Sequence, residues 1–465
     1  MTVVRSGRDV RTVPSRAVER FRALLDRGLL HAGPLFFFVA CAVTYYGQLN
    51  RKQSGDIVGT IYTALAIVQK HTIWLDGYFH DIQAHAGEHP YMLTTSAGGH
   101  VVSATPSASS LLAVPVVALF VLAGKGGADW GTWMEASLLT AALTAAAATA
   151  VLFTALTRLT TQRRAALIAG TFAWGTLQWG INGQALWQHG GSALALSVAL
   201  LALIDRRLLV AGIAVSAMVA FRPSTPVIVL FLLPLVGRRL RDWTRFGAGI
   251  LPFALALAAY NSVAFGSPLH QGYGTNRVVS ALQPSWPTVA QGFSALLVSP
   301  GRGLFVYSPV LLFAVFGAIK GRRVPLYRWS AVAAIAYVVV AGNDNHWWGG
   351  ECFGPRRLAD LLPLAAVLLV PAVDAIVGTK WLWLYLALLA WSVFVELLGA
   401  SAWPASIWFD GNPDFTRFSI WWHVTDNELA AKLQTVHLGV RMTTMAAILA
   451  SSLLLGYLTS SLTTT

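Results

Sequence analysis

The sequence predicts an all-α polytopic membrane protein, and three observations predict it. Of the 465 residues, 55% are hydrophobic and only 11% charged, where soluble domains carry about a quarter of charged residues. Apolar runs long enough to cross roughly 30 Å of hydrocarbon recur along the chain. The basic residues, which give a formal net charge of +13, sit in short clusters between those runs. Such clusters mark cytoplasmic loops and attract anionic lipid, which argues for a topology signal and membrane lipids as partners, not nucleic acid.

Taken in order, residues 1–32 read as a cytoplasmic basic tail, in which Val18, Phe21, Leu24, Leu25 and Leu29 recur at helical spacing among arginines. That pattern suits an interfacial helix. The run from Gly33 to Leu49 has no small-residue cleavage site after it and is expected to be an uncleaved first span. Residues 33–465 are expected to form one integral domain. Further runs lie near 107–124, 133–157, 165–181, 187–204, 208–221, 223–236, 247–265, 303–319, 329–342, 360–377, 381–401 and 442–458, giving about 12–13 spans by the hydropathy criterion.

Basic clusters at Arg158/Arg163/Arg164, Arg206/Arg207, Arg238/Arg239/Arg241, Lys320/Arg322/Arg323 and Lys380 are expected on the cytoplasmic side. Alternation then places loops 51–106, 266–302, 343–359 and 402–440 outside. Parity is violated between 107 and 158, where two runs stand and an odd number of crossings is needed. The runs flanking Arg222 and Pro223 are short, as in broken helices that hold a polar group at membrane depth. The Ala-rich stretch from Ala141 to Ala150 suits close helix packing. Cys41 and Cys352 are not expected to pair.

The outer segments carry the chemistry. Asp56 opens the apolar-periodic stretch from Ile57 to Val68, where a carboxylate either caps a helix lying on the membrane surface or acts as a general base on a hydroxyl. Asp76, Tyr78 and Asp81 follow, mixing acids with an aromatic ring as a carbohydrate-binding surface does, and a hairpin is expected from Tyr91 to Val102 with its turn at Gly98-Gly99. Arg222, Arg302, Arg356 and Arg357 stand on the side where arginine is disfavoured, and guanidinium suits phosphate. The glycine-rich stretch from Asn343 to Arg357 places His346, Trp347 and Glu351 in a bent loop that can wall a binding site. His71, His80, His85, His89 and His100 show no metal-ligand spacing.

Several stretches together resemble the GT-C superfamily of integral-membrane glycosyltransferases in its bacterial form. They are Gly55-Asp56 before a helix, SATPSASSLLAVP from Ser103, FAWGTLQWGINGQALWQHGGSALAL from Phe172, YNSVAFGSPLHQGYG from Tyr260, LVSPGRGLFVYSPVLL from Leu297 and WWGGECFGPRR from Trp347. The resemblance implies surface helices in the first outer loop and Asp56 as the catalytic acid residue of that loop. It also implies inverting transfer of a sugar from a polyprenyl-phosphate donor to a saccharide, lipid or protein acceptor on the extracytoplasmic face of the bacterial plasma membrane. Arg302, Arg356 and Arg222 are then the expected donor-phosphate ligands, with Tyr273, His346, Trp347 and Glu351 lining the cavity beside Asp76, Tyr78 and Asp81.

Many relatives place a second acid directly after the first, whereas this chain has Ile57, and Thr105-Pro106-Ser107 stands where Pro-Pro-Gly is frequent. No cofactor is firmly implied; a divalent cation has no paired-acid motif to hold it. The alternative is a transporter or flippase of a lipid-linked saccharide, which also needs outer cations and broken helices.

Overall fold

The computed structural model describes residues 33–51, 55–88, 90–272, 285–344, 346–401, 417–434 and 438–462. The basic tail and Tyr273 lie outside them. Among the described residues, seven helices are long and apolar enough to cross a membrane, five shorter apolar helices accompany them and one small hairpin is formed, as in an all-α polytopic membrane protein.

Helix α1 (Gly33–Tyr46) leads into Asn50, whose side-chain and backbone N–H groups donate to Gly399 and Ala400 carbonyls at 2.8 Å each. Helix α2 spans Val58–Lys70. Every residue from Val58 to Ala66 is buried, because α2 packs between neighbours instead of presenting a wet face. Helix α3 (Phe79–Ala86) does keep an exposed face, with Ile82 its only buried residue. Strands β1 (Leu93–Thr95) and β2 (Val101–Ser103) pair antiparallel, Thr95 opposite Val101, around the expected glycine turn.

Both runs behind the parity conflict are helical. Helix α4 (Ala108–Phe120) is followed by a turn that kinks at Gly124, where φ is +79°, and α5 (Trp130–Leu156) starts at Asp129, whose carboxylate caps Thr132 N–H at 3.1 Å. Helix α6 (Gln162–Trp174) is followed by a buried, irregular stretch before α7 (Gln188–Ile204). Helix α8 (Leu208–Phe221) stops at Arg222-Pro223, and α9 (Pro226–Leu232) resumes after a turn, so this pair is broken as expected. Helix α10 (Leu240–Phe265) lies against α8 through Gly212 and Gly249: a Cβ at either would stand 2.0 or 2.1 Å from a carbonyl of the facing helix.

The remaining helices are α11 (Trp286–Val298), α12 (Leu304–Tyr307), α13 (Leu312–Gly321), α14 (Pro325–Gly342), α15 (Leu362–Ile376), α16 (Trp381–Ser401), α17 (Glu428–Leu433) and α18 (Leu438–Leu462). The run expected at 303–319 is divided at Ser308-Pro309. Several basic clusters assigned to one side do meet. Arg158 pairs with Asp205 at 3.3 Å, Arg164 with Asp374 at 2.9 Å and Arg206 with Asp242 at 3.0 Å, tying adjacent helix ends together.

Candidate functional site

Asp56 sits in a single 3₁₀ turn, Gly55–Ile57, at the head of α2. Its side chain is 29% exposed and accepts two charge-assisted hydrogen bonds, from Tyr91 Oη at 2.9 Å and from Arg356 Nη1 at 2.7 Å. Burial raises the carboxyl pKa, but the Arg356 charge and the hydrogen bonds from Arg356 and Tyr91 outweigh it, holding the group below its ordinary value. Asp56 is therefore a carboxylate at neutral pH. The Arg356 guanidinium also lies over the Trp187 ring, 4.9 Å from its centroid, and donates through Nη2 to the Gly349 carbonyl.

Arg356 is aimed by an unusual stretch of backbone. Gly349, Gly350 and Gly354 take φ of +83°, +75° and +66°, a region that side chains disfavour, so the loop folds back sharply before a 3₁₀ helix spanning Arg356–Leu361. In that helix Arg357 pairs with Asp344 at 3.1 Å. Arg222, on the break after α8, donates from Nε to Asp360 at 3.2 Å and from Nη1 to Gln188 at 3.3 Å. Asp360 Oδ2 also accepts from Tyr337 Oη at 2.6 Å and contacts His189 Nδ1 at 2.8 Å.

Arg222, Arg356 and Arg357 lie within electrostatic range of one another, each with an aspartate partner in Asp360, Asp56 and Asp344. The structure thus brings together three of the sequence-derived candidates, Asp56, Arg356 and Arg222, from segments far apart in the chain.

The other candidates are placed differently. Arg302 is fully buried, pairs with Glu428 at 2.8 Å, donates to the carbonyls of Cys352, Gly354 and Gly350, and lies 4.6 Å from the Trp421 ring centroid. It braces the glycine loop from inside. Trp347 is likewise interior, 4% exposed and packed edge-on against Trp348, Phe418 and Trp421. His346 is exposed and bound through its backbone to Asp344, and Glu351 is exposed.

Asp76 accepts from His100 Nδ1 and Val101 N, both at 3.2 Å, and so fixes the hairpin to the turn before α3. Tyr78 donates to Gln69 at 2.9 Å, and Asp81 accepts from Tyr62 Oη. These three hold the loop together. Among the described residues no three His, Cys, Asp or Glu side chains gather as a metal site requires.

Sequence reading missed Tyr91, Trp187, His189, Asp344 and Asp360. Tyr91 begins the expected hairpin, but its reach to Asp56 depends on how the loop folds back. Trp187, His189 and Asp360 stand in or beside apolar runs, where a polar or aromatic group at depth is the signal that could have found them. Comparison with protein-family models, with curated proteins and with solved structures yields no match.

Proposed function

We propose that the protein is an inverting glycosyltransferase of GT-C type, moving a sugar from a polyprenyl-phosphate donor to an acceptor hydroxyl at the extracytoplasmic face of the membrane. The observation that carries this reading is the Asp56–Arg356 pair, a carboxylate and a guanidinium held together at 2.7 Å on an aromatic platform. A base for the acceptor and a cation for a phosphate leaving group are what such a transfer requires.

Asp56 takes the acceptor proton as the acceptor oxygen attacks the anomeric carbon. The bond from that carbon to the phosphate oxygen breaks on the opposite face, and polyprenyl phosphate departs with the electron pair. Phosphate leaves without being protonated, so one base suffices where a glycosidase needs two carboxyl groups. Proton removal of this kind contributes about 10²–10⁴-fold in rate.

Arg356 has two terminal nitrogens, one on Asp56 and one on the Gly349 carbonyl. An arriving phosphate competes for this fork, and as Arg356 turns toward it Asp56 loses a charge partner and becomes the stronger base. Arg222 adds positive charge from its place on Asp360. Tyr91 keeps the carboxylate oriented during the exchange.

The test is incubation of the purified protein with polyprenyl phosphate linked to mannose, arabinose, galactose or glucose, and with envelope acceptors. The expected product is a glycoconjugate with inverted anomeric configuration. Movement of a lipid-linked saccharide across vesicles, with no transfer from any donor, would replace the transferase by a transporter.

A further inference from the structure

Residues 175–187 interrupt the helical run between α6 and α7, and every residue from Thr171 to Ala193 is buried. Irregular backbone at such depth is tolerated only where protein encloses it or a cavity adjoins it. Gln184 in this segment is 2% exposed, yet neither Nε2 nor Oε1 of its amide has a hydrogen-bond partner among the described residues. Trp187 Nε1 and Gln48 Oε1 share that condition, and Gln48 is fixed beside the segment by donating to the Gly183 carbonyl at 2.9 Å. Buried polar groups without partners are destabilising, so a concentration of them in one segment calls for an occupant.

Their position says what kind. The Trp187 ring carries Arg356, which holds Asp56. Gln184 is three residues earlier, so its Cα lies within roughly 11 Å of that of Trp187 even if the chain between were fully extended. Phosphate is served by the guanidinium. An amide that both donates and accepts, with an indole N–H and a second amide oxygen nearby, matches the vicinal hydroxyls of an uncharged ring. We infer that Gln184, with Trp187 Nε1 and Gln48 Oε1, holds the hydroxyl edge of the sugar whose phosphate faces Arg356. The identity of that ligand as a donor sugar rests on the transferase reading above.

Binding, measured apart from transfer, distinguishes the two. Wild-type protein in nanodiscs is titrated with polyprenyl phosphate and with the same lipid bearing mannose, glucose, galactose or arabinose. At least one sugar-bearing lipid is expected to bind more tightly than the sugar-free lipid. Gln184→Leu removes both unpartnered atoms, so the ligand-free protein melts at an equal or higher temperature. Its affinity for the sugar-bearing lipid falls roughly 5- to 30-fold while that for polyprenyl phosphate stays unchanged, as loss of buried hydrogen bonds to the sugar dictates.

Gln184→Met, unbranched and of similar volume, also removes both amide atoms and gives the same selective loss should Gln184→Leu fail to fold. Equal losses for both lipids, or no loss for either, would overturn the inference. So would a wild-type protein that binds no sugar-bearing lipid better than polyprenyl phosphate. Selective sugar binding that Gln184→Leu abolishes, in a protein that transfers nothing, sustains the sugar site and removes the transferase.

Discussion

Asp56 and Arg356 are 300 positions apart and meet at 2.7 Å. The contact joins the head of α2 to the glycine loop before α15, so the base and the phosphate-binding cation are assembled by the same closure of the chain. Each also sets the electrostatics of the other.

That coupling has a pH signature. The Asp56 pKa in the folded protein is below its ordinary 3.8, so the stabilisation from its ionised form is complete above that pH and is lost as the pH falls through the folded-state value. In Arg356→Gln the opposing charge is gone and burial dominates, which raises the Asp56 pKa. The acid side of the melting-temperature profile is expected to move to higher pH in the variant. A profile that superimposes on wild type would show that the pair does not control Asp56.

Asp360 is fully buried beneath Arg222, His189 and Tyr337. Removing one partner of a buried pair leaves a charge without compensation and typically costs about 3–5 kcal/mol. Asp360→Asn is therefore expected to lower the melting temperature strongly and to reduce donor affinity through Arg222. A variant with unaltered stability and unaltered donor affinity would contradict this placement.

Arg302 and Glu428 form the second buried pair. Either Arg302→Met or Glu428→Gln alone is expected to destabilise the protein by about 3–5 kcal/mol, and the double variant Arg302→Met/Glu428→Gln by less than the sum. Thermal unfolding of the four proteins checks the coupling. A large loss of donor affinity in a fully stable Arg302→Met protein would return Arg302 to the ligand-binding role that its sequence position suggests.

The case of Arg302 shows where sequence reasoning stops. Composition and hydropathy make the membrane helices legible, because spanning helices must be apolar along their length. Asp56, Arg222 and Arg356 are legible one at a time, as charges at the ends of apolar runs. Charge sidedness treats Arg302 and Arg356 alike, yet one is held by Glu428 and the carbonyls of Gly350, Cys352 and Gly354 and the other by Asp56 and the Gly349 carbonyl. The difference arises from the left-handed glycines, which turn the carbonyls of Gly350, Cys352 and Gly354 toward Arg302. Helix α2 escaped in a similar way, since its polar surroundings in sequence concealed burial from Val58 to Ala66.

The most direct test is the initial rate of sugar transfer by Asp56→Asn against wild type, with donor binding measured on the same preparations. Asparagine keeps the shape of the side chain and removes its basicity. The expected result is a loss of about 10²–10⁴-fold in rate, with the variant still binding polyprenyl-phosphate sugar. Transfer at the wild-type rate in Asp56→Asn would contradict the assignment of Asp56 as the base.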